Sequence, residues 1–535
     1  MQKRSLVGIS AILFGVLLIQ GCFLFEEETP DVEQNKSLSY EVPSGYTLYF
    51  IVRNLTTSTK KVAVWGENIS SIGTTKSIMG DILPSQPSSY PIMGLPPSFQ
   101  KDLPKENWRT SLSRLSKNIL FTFESASPLG YGQNPSNWII GTTKLSFKVA
   151  NIQYNRYDTI TATLVAIGTN TNVGASPSSV AGAVAYIFKD DAATVDTSSI
   201  AYIAEKFNGA NGIYAKLTNI LGGYEDGGGP SGDGGIDNNK TIYILLHDIQ
   251  DGYSGSGGFV AGYYDPGNDF PISQFPNSSE KQMFVIDTYP TLSSSVDMAI
   301  STLAHEAQHM INFGQKHFIG GVDEETWLNE ACSLAVEDVL DEFVTNSNDR
   351  VYANGSRISY FISRPERGLF QWAEDNEVLY DYGKAYAYLA FLMRQTSPRI
   401  LKEIVSGAGR DKIGKNAVNA ALTAVGAGKT FEETVRLWQK ALIYNNYALS
   451  SSWSGYRTNT NLPGFELRAL NLQTYANDRS TTGPVFYYFR SSSTTFTFAP
   501  YSTYIFKGKP SSGTSCTVWI SDDPSIEIEA IITNL

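Results

Sequence analysis

The sequence predicts an α+β multidomain protein: an N-terminal β-rich, sandwich-like domain, a central domain in which helices alternate with strands, and a small C-terminal β domain. Three observations carry this. Short runs of β-branched and aromatic residues fill residues 39–180; helical periodicity enters at about residue 181 and persists to about 450; strand-like runs return over 451–535. A length of 535 residues suits roughly two to four domains. Hydrophobic content of 42% against 17% charged supplies enough apolar material for several cores.

Residues 1–22 have the pattern of a targeting segment. Lys3 and Arg4 precede the apolar run LVGISAILFGVLLI (Leu6–Ile19), which stops at Gly21-Cys22. The run falls short of the about 20 apolar residues that a spanning helix needs. LIQGC resembles a bacterial lipobox, with Ile19 where Leu is usual and Gln20 where a small residue is usual. The expectation is a lipoprotein signal cut before Cys22, whose lipid anchors the chain to a membrane of the cell envelope, outside the cytoplasm. Each acyl chain contributes about 0.8 kcal/mol per buried methylene, so several on one cysteine hold firmly. Residues 23–38, beginning FLFEEETPDVEQNKS, form an acidic tether. With Cys22 lipidated, only Cys332 and Cys516 remain, too few for a disulfide framework. The net charge of −11 gives no general attraction to phosphate backbones, which excludes nucleic acid as a partner.

Within the first domain, YTLYFIVRN, KKVAVWGENI, ILFTFES, KLSFKVANI and DTITATLVAIG read as strands. The Pro/Ser-rich LPSQPSSYPIMGLPPSFQKDLP interrupts them and reads as extended. In the central domain, Asp196 to Gly222 has apolar residues at helical spacing behind a Thr/Ser cap, and TIYILLHDI and QMFVIDTY read as buried strands. GGYEDGGGPSGDGGIDNNK offers oxygens to calcium, but its spacing fits no EF-hand loop and a surface connection is the expectation. VFYYFRSS, TFTFAPYSTYIF and CTVWIS are the strands of the C-terminal domain.

Chemistry concentrates in TLAHEAQHMINFGQKH (Thr302 to His317), which holds three of the four histidines in the chain. The stretch continues a helix capped by Ser294 or Ser295 and ended by Gly314. His305 and His309, four apart, share one helix face and present two nitrogens to one ion; Glu306 projects beside them. Two neutral imidazoles hold zinc in this arrangement, and a glutamate takes a proton from metal-bound water.

A third protein ligand is required. His317 is one candidate. Glu330 is the better one: it borders the apolar stripe of a second helix, Trp327, Leu328, Ala331, Leu334 and Ala335, which Asp323 caps. A carboxylate at the edge of a buried face is costly unless paired or coordinated. Cys332, on that same apolar side, reads as a buried free thiol. His247, in LLHDI, follows a strand and could reach the site, but the expectation is that it faces a core neighbour.

HEAQHMINF followed by WLNEACSLAVED resembles the gluzincin zinc metallopeptidases, and most of all the hyicolysin-type peptidases of bacteria. The resemblance covers roughly residues 180 to 450. It implies a gluzincin-type peptidase domain in which the Asn329-Glu330 pair supplies the third ligand. In some gluzincins an aspartate four residues after that glutamate supports a histidine; here that position is Leu334, and Glu337 or Asp338 is left to substitute. LYDYGKAYAYLAFLMRQ resembles the aminopeptidase branch, whose Tyr-x-x-Gly tyrosine donates to the oxyanion; this implies Tyr380, with Tyr382 as the alternative.

The expected function is therefore a lipid-anchored zinc metalloendopeptidase acting on proteins or peptides, with one catalytic zinc on His305, His309 and Glu330, Glu306 as base and Tyr380 as oxyanion donor. The alternatives are a surface lipoprotein that binds a host or envelope component through a non-proteolytic zinc domain, and a zinc hydrolase acting on a non-peptide bond.

Overall fold

The structure is a computed structural model that describes residues 35–70, 89–93, 137–176, 185–224, 236, 242–353, 357–373, 375, 377–444, 453–511 and 514–534. The expected leader with Cys22, the first part of the tether, the run ILFTFES and nearly all of the Asp/Gly-rich stretch lie outside the described residues. The chain opens with strands β1 (Asn35–Glu41), β2 (Thr47–Asn54), β3 (Lys60–Glu67) and β4 (Ile69–Ser70). Next come β5 (Ser89–Met93), β6 (Lys144–Asn151), β7 (Arg156–Ile167) and β8 (Ala185–Asp190). Helices α1 (Thr197–Asn208) and α2 (Ile213–Leu221) precede β9 (Ile242–His247), β10 (Gly257–Tyr264) and β11 (Met283–Asp287). A helical stretch follows: α3 (Val296–Phe313), α4 (Thr326–Val339), α5 (Arg357–Ser363), α6 (Val378–Gln395), α7 (Ile400–Val405), α8 (Gly414–Ala424) and α9 (Phe431–Tyr444). The last strands are β12 (Tyr487–Tyr488), β13 (Thr494–Phe498), β14 (Ser502–Pro510), β15 (Ser515–Ser521) and β16 (Ile526–Thr533).

The two ends of the chain build one sandwich. One sheet runs β12-β14-β2-β16 with β4 on β14; the other runs β1-β15-β3-β13. Between them lie Leu48, Phe50, Val64, Phe498, Phe506 and Val518, all buried. Strands expected in separate N-terminal and C-terminal domains thus share each sheet, as in the pairing of Ile51 with both Ile505 and Glu529. A strand's own alternation tells which face it buries, not which strand it pairs with.

The third sheet has the order β5-β10-β11-β9-β8-β7-β6. β6 and β7, strands expected in the N-terminal domain, join the unanticipated β8 and extend this central sheet, so the boundary expected near residue 180 falls inside it. β8, β9 and β11 are parallel, whereas β10 runs antiparallel to β11. α3 packs across β10 and β11, which puts the HEAQH helix directly against the sheet. Among the described residues no helix is long and apolar enough to cross a membrane.

Several expected helix ends shift. The helix expected over Asp196 to Gly222 divides into α1 and α2 at Gly209 and Gly212, where a Cβ would meet backbone oxygens at 2.9 and 2.7 Å. Asp196 rather than Ser or Thr caps α1, accepting from Ser199 N–H at 2.7 Å. Ser295 caps α3 as expected. Gly314 does not stop the chain turning: a wider helical turn runs over Gly314–Gly320 and ends at Gly321, whose φ of +70° suits glycine. Gly314 is instead required because Tyr224 lies against it.

Candidate metal centre

α3 and α4 pack side by side and bring His305, His309 and Glu330 together, with their ligating atoms all within 4.8 Å of one another. Glu330 Oε2 lies 3.2 Å from His305 Nε2 and 3.5 Å from His309 Nε2. All three residues are buried. Neither His305 Nε2 nor Glu330 Oε2 has a hydrogen-bond partner among the described residues. Burying such atoms unpaired is costly, and coordination removes the cost.

The far side of each imidazole is held. His305 Nδ1–H donates to Glu337 Oε1 at 2.8 Å, and Glu337 Oε2 accepts from Ser301 Oγ at 2.6 Å. His309 Nδ1 lies 3.1 Å from Asn329 Oδ1, which also accepts from Asn312 Nδ2 at 2.6 Å. Ser333 Oγ approaches the same imidazole at 3.1 Å and donates to Gln308. Protons held on the Nδ1 atoms leave both Nε2 lone pairs turned to the ligand position. Of the two carboxylates left open as support, Glu337 takes the role; Asp338 is occupied by Tyr386 and Arg394.

Glu306 is fully buried, and its Oε2 accepts from the backbone N–H of Tyr264, the last residue of β10, at 2.8 Å. Its Oε1 has no partner among the described residues. Burial pushes the Glu306 pKa up; His305 and His309 pull against that rise, and Glu330 adds to it. For Glu330, burial acts upward as well, but the two imidazoles hold it down to about 2. Burial alone lowers the His305 pKa, yet Glu330 and Glu337 more than reverse it, to about 10 in the absence of an ion. Among the described residues no lysine or arginine pairs with Glu306, Glu330 or Glu337. Two nitrogens, one carboxylate oxygen and surplus negative charge are the donor set of a divalent cation such as zinc.

The other candidates have partners outside the His305–His309–Glu330 group. Tyr380 is buried with its hydroxyl 3.3 Å from Asp478 Oδ2 and its ring against Tyr360 and Arg364. Tyr382 packs on Trp372 and under the Arg357 guanidinium. His247, at the end of β9, gives its Nδ1–H to Asp190 at 2.7 Å in the core. His317 stacks on Phe313 and bonds Asp323 at 2.8 Å. That bond corrects the expected cap, since α4 starts at Thr326 behind Glu325 and Asp323 serves the histidine. Cys332 is a buried free thiol, with its pKa pushed up by burial.

Ser301, Asn312 and the Tyr264 amide were not anticipated. Ser301 is four before His305 and Asn312 three after His309, so helical spacing contained both. The Tyr264 amide has no such signal: it is a backbone group on a strand 42 residues away.

The peptidase M30 family profile matches residues 180–486, more than half of the chain. The neutral metalloprotease ShpI of Staphylococcus hyicus is 28% identical over 179 residues, 32% of this chain and 39% of that protein. The aligned stretch therefore spans about two-fifths of that relative's length.

Proposed function

This chain belongs to the peptidase M30 family, as the resemblance to hyicolysin-type peptidases implied, and on that premise we propose that it is a zinc metalloendopeptidase that cleaves protein or peptide substrates. The observation that carries the reading is the meeting of His305, His309 and Glu330 beside a glutamate with one oxygen anchored and the other unpartnered. When bound, zinc supplies a Lewis acid that polarises the scissile carbonyl and acidifies water. His305 and His309 would hold it through Nε2 and Glu330 through a carboxylate oxygen. Glu337 and Asn329 keep the rings in one orientation and one tautomer.

Glu306 Oε1 removes the proton from the attacking water and then delivers it to the leaving amine. The Tyr264 amide fixes the carboxylate's rotation without taking the reacting oxygen. Burial, by raising the Glu306 pKa, strengthens it as a base. The assignment of Tyr380 as oxyanion donor rests on the resemblance alone, and acting so requires its hydroxyl to exchange Asp478 for substrate. Placement outside the cytoplasm on a lipid at Cys22 rests on the LIQGC sequence.

Glu306→Gln tests the mechanism on an unfolded protein substrate. Turnover should fall by about 100- to 10,000-fold with zinc retained. Cleavage at the wild-type rate would remove Glu306 from the chemistry.

A further inference from the structure

β10 ends at the reacting carboxylate, since its last residue, Tyr264, donates to Glu306. One edge of β10 pairs with β11. An extended peptide brought to Glu306 has the other edge of β10 beside it, where strand addition uses main-chain groups and asks little of sequence. That edge is taken by the chain itself. β5 pairs with it in parallel, from Ser89 opposite Gly257 to Met93 opposite Gly262, and lies against α3.

The hold of β5 is light. It is the outermost strand of the sheet among the described residues and only five residues long. Pro91 has no N–H to give to the ladder. The register slips between Val260 and Gly262, leaving Ala261 with no opposite residue. A longer peptide without proline makes more of the same bonds.

We propose that β5 is an internal competitor for the peptide-docking edge of β10, so that the site is latent while β5 is paired and opens when β5 leaves. This rests on the peptidase reading of the site. β5 leaves without the residues ahead of it: β2 lies between β14 and β16, and β3 between β15 and β13, so the N-terminal strands stay bound in the sandwich.

The test uses the full chain in the Glu306→Gln background, where a fluorescein-labelled, proline-free peptide is bound but not cut. Tyr90→Gly, Ile92→Gly and Met93→Gly together should tighten its apparent Kd by about tenfold, the factor expected if β5 is displaced in about a tenth of molecules. A synthetic peptide of residues 86–96 should compete for that variant, and a scrambled one should not. Folded variant binding no more tightly than its parent overturns the proposal. The second measurement needs no strand variant: saturating peptide should speed hydrogen exchange at the Tyr90, Ile92 and Met93 amides, and unchanged protection there also overturns it. Tighter binding without any cleavage by a chain that carries the three glycine substitutions and keeps Glu306 leaves β5 as competitor of the peptide and removes the peptidase reading. Equal cleavage rates with and without the three glycine substitutions keep the peptidase and remove the role of β5.

Discussion

Glu337 and Asp338 are neighbours on α4, both buried, and their surroundings differ in one respect. Asp338 meets a matched countercharge: Arg394 donates to both of its oxygens, at 2.6 and 3.1 Å, and Tyr386 adds a third bond at 2.9 Å. Glu337 belongs to a group of three carboxylates, with Glu306 and Glu330, that faces only two imidazoles. The first arrangement is complete as it stands and locks α4 to α6. The second is short of positive charge, and in the absence of an ion His305 supplies it by holding a proton up to about pH 10. The comparison separates a structural knot from a ligand site on a single helix: one is closed by protein charge, the other is left for a cation.

The largest expected effect breaks the closed knot. Arg394→Met leaves Asp338 buried and unpaired, and urea denaturation should show a stability loss of about 3–5 kcal/mol. Zinc content per folded chain should not change. Acid and base sharpen the other half. In metal-free protein the His305 pKa is raised, so its contribution to stability is whole below its unfolded value of 6.5 and disappears as pH rises through about 10. The Glu330 pKa is depressed, so its contribution is whole above 4.5 and is lost as pH falls through about 2. Thermal melts of metal-free protein should therefore drop between neutral pH and pH 10, and zinc should abolish that drop because it displaces the proton.

Glu337→Gln removes the anionic support of His305 and should weaken zinc affinity by about 10- to 100-fold in a chelator competition. The same competition on Arg394→Met should give the wild-type affinity. The smallest effect is expected at His247, whose 2.7 Å bond to Asp190 resembles the 2.8 Å His305–Glu337 pair but which belongs to no metal-ligating cluster among the described residues. His247→Gln should cost about 1 kcal/mol of stability and leave zinc affinity untouched.

The candidate metal centre was legible in sequence as a cluster, because its parts repeat at helical spacing. His305 and His309 are one turn apart, and Glu330 and Glu337 two turns apart, so each pair shares a face. What helical spacing could not do was choose between Glu337 and Asp338, since the choice depends on which neighbouring helix each one meets. The sandwich was legible as strands and illegible as an assembly. Ile51 and Ile505 pair across most of the chain, and no local pattern records that distance. Asp323 illustrates a nearer failure: its sequence position suited a cap, but His317, six residues earlier, claims its carboxylate.

The central claim is that His305, His309 and Glu330 hold one ion. Elemental analysis of purified wild type and Glu330→Ala tests it most directly. The expected result is about one zinc per chain in the wild type, lost in Glu330→Ala while the chain remains folded. Folded wild type without zinc, or Glu330→Ala that keeps a full complement, would contradict it.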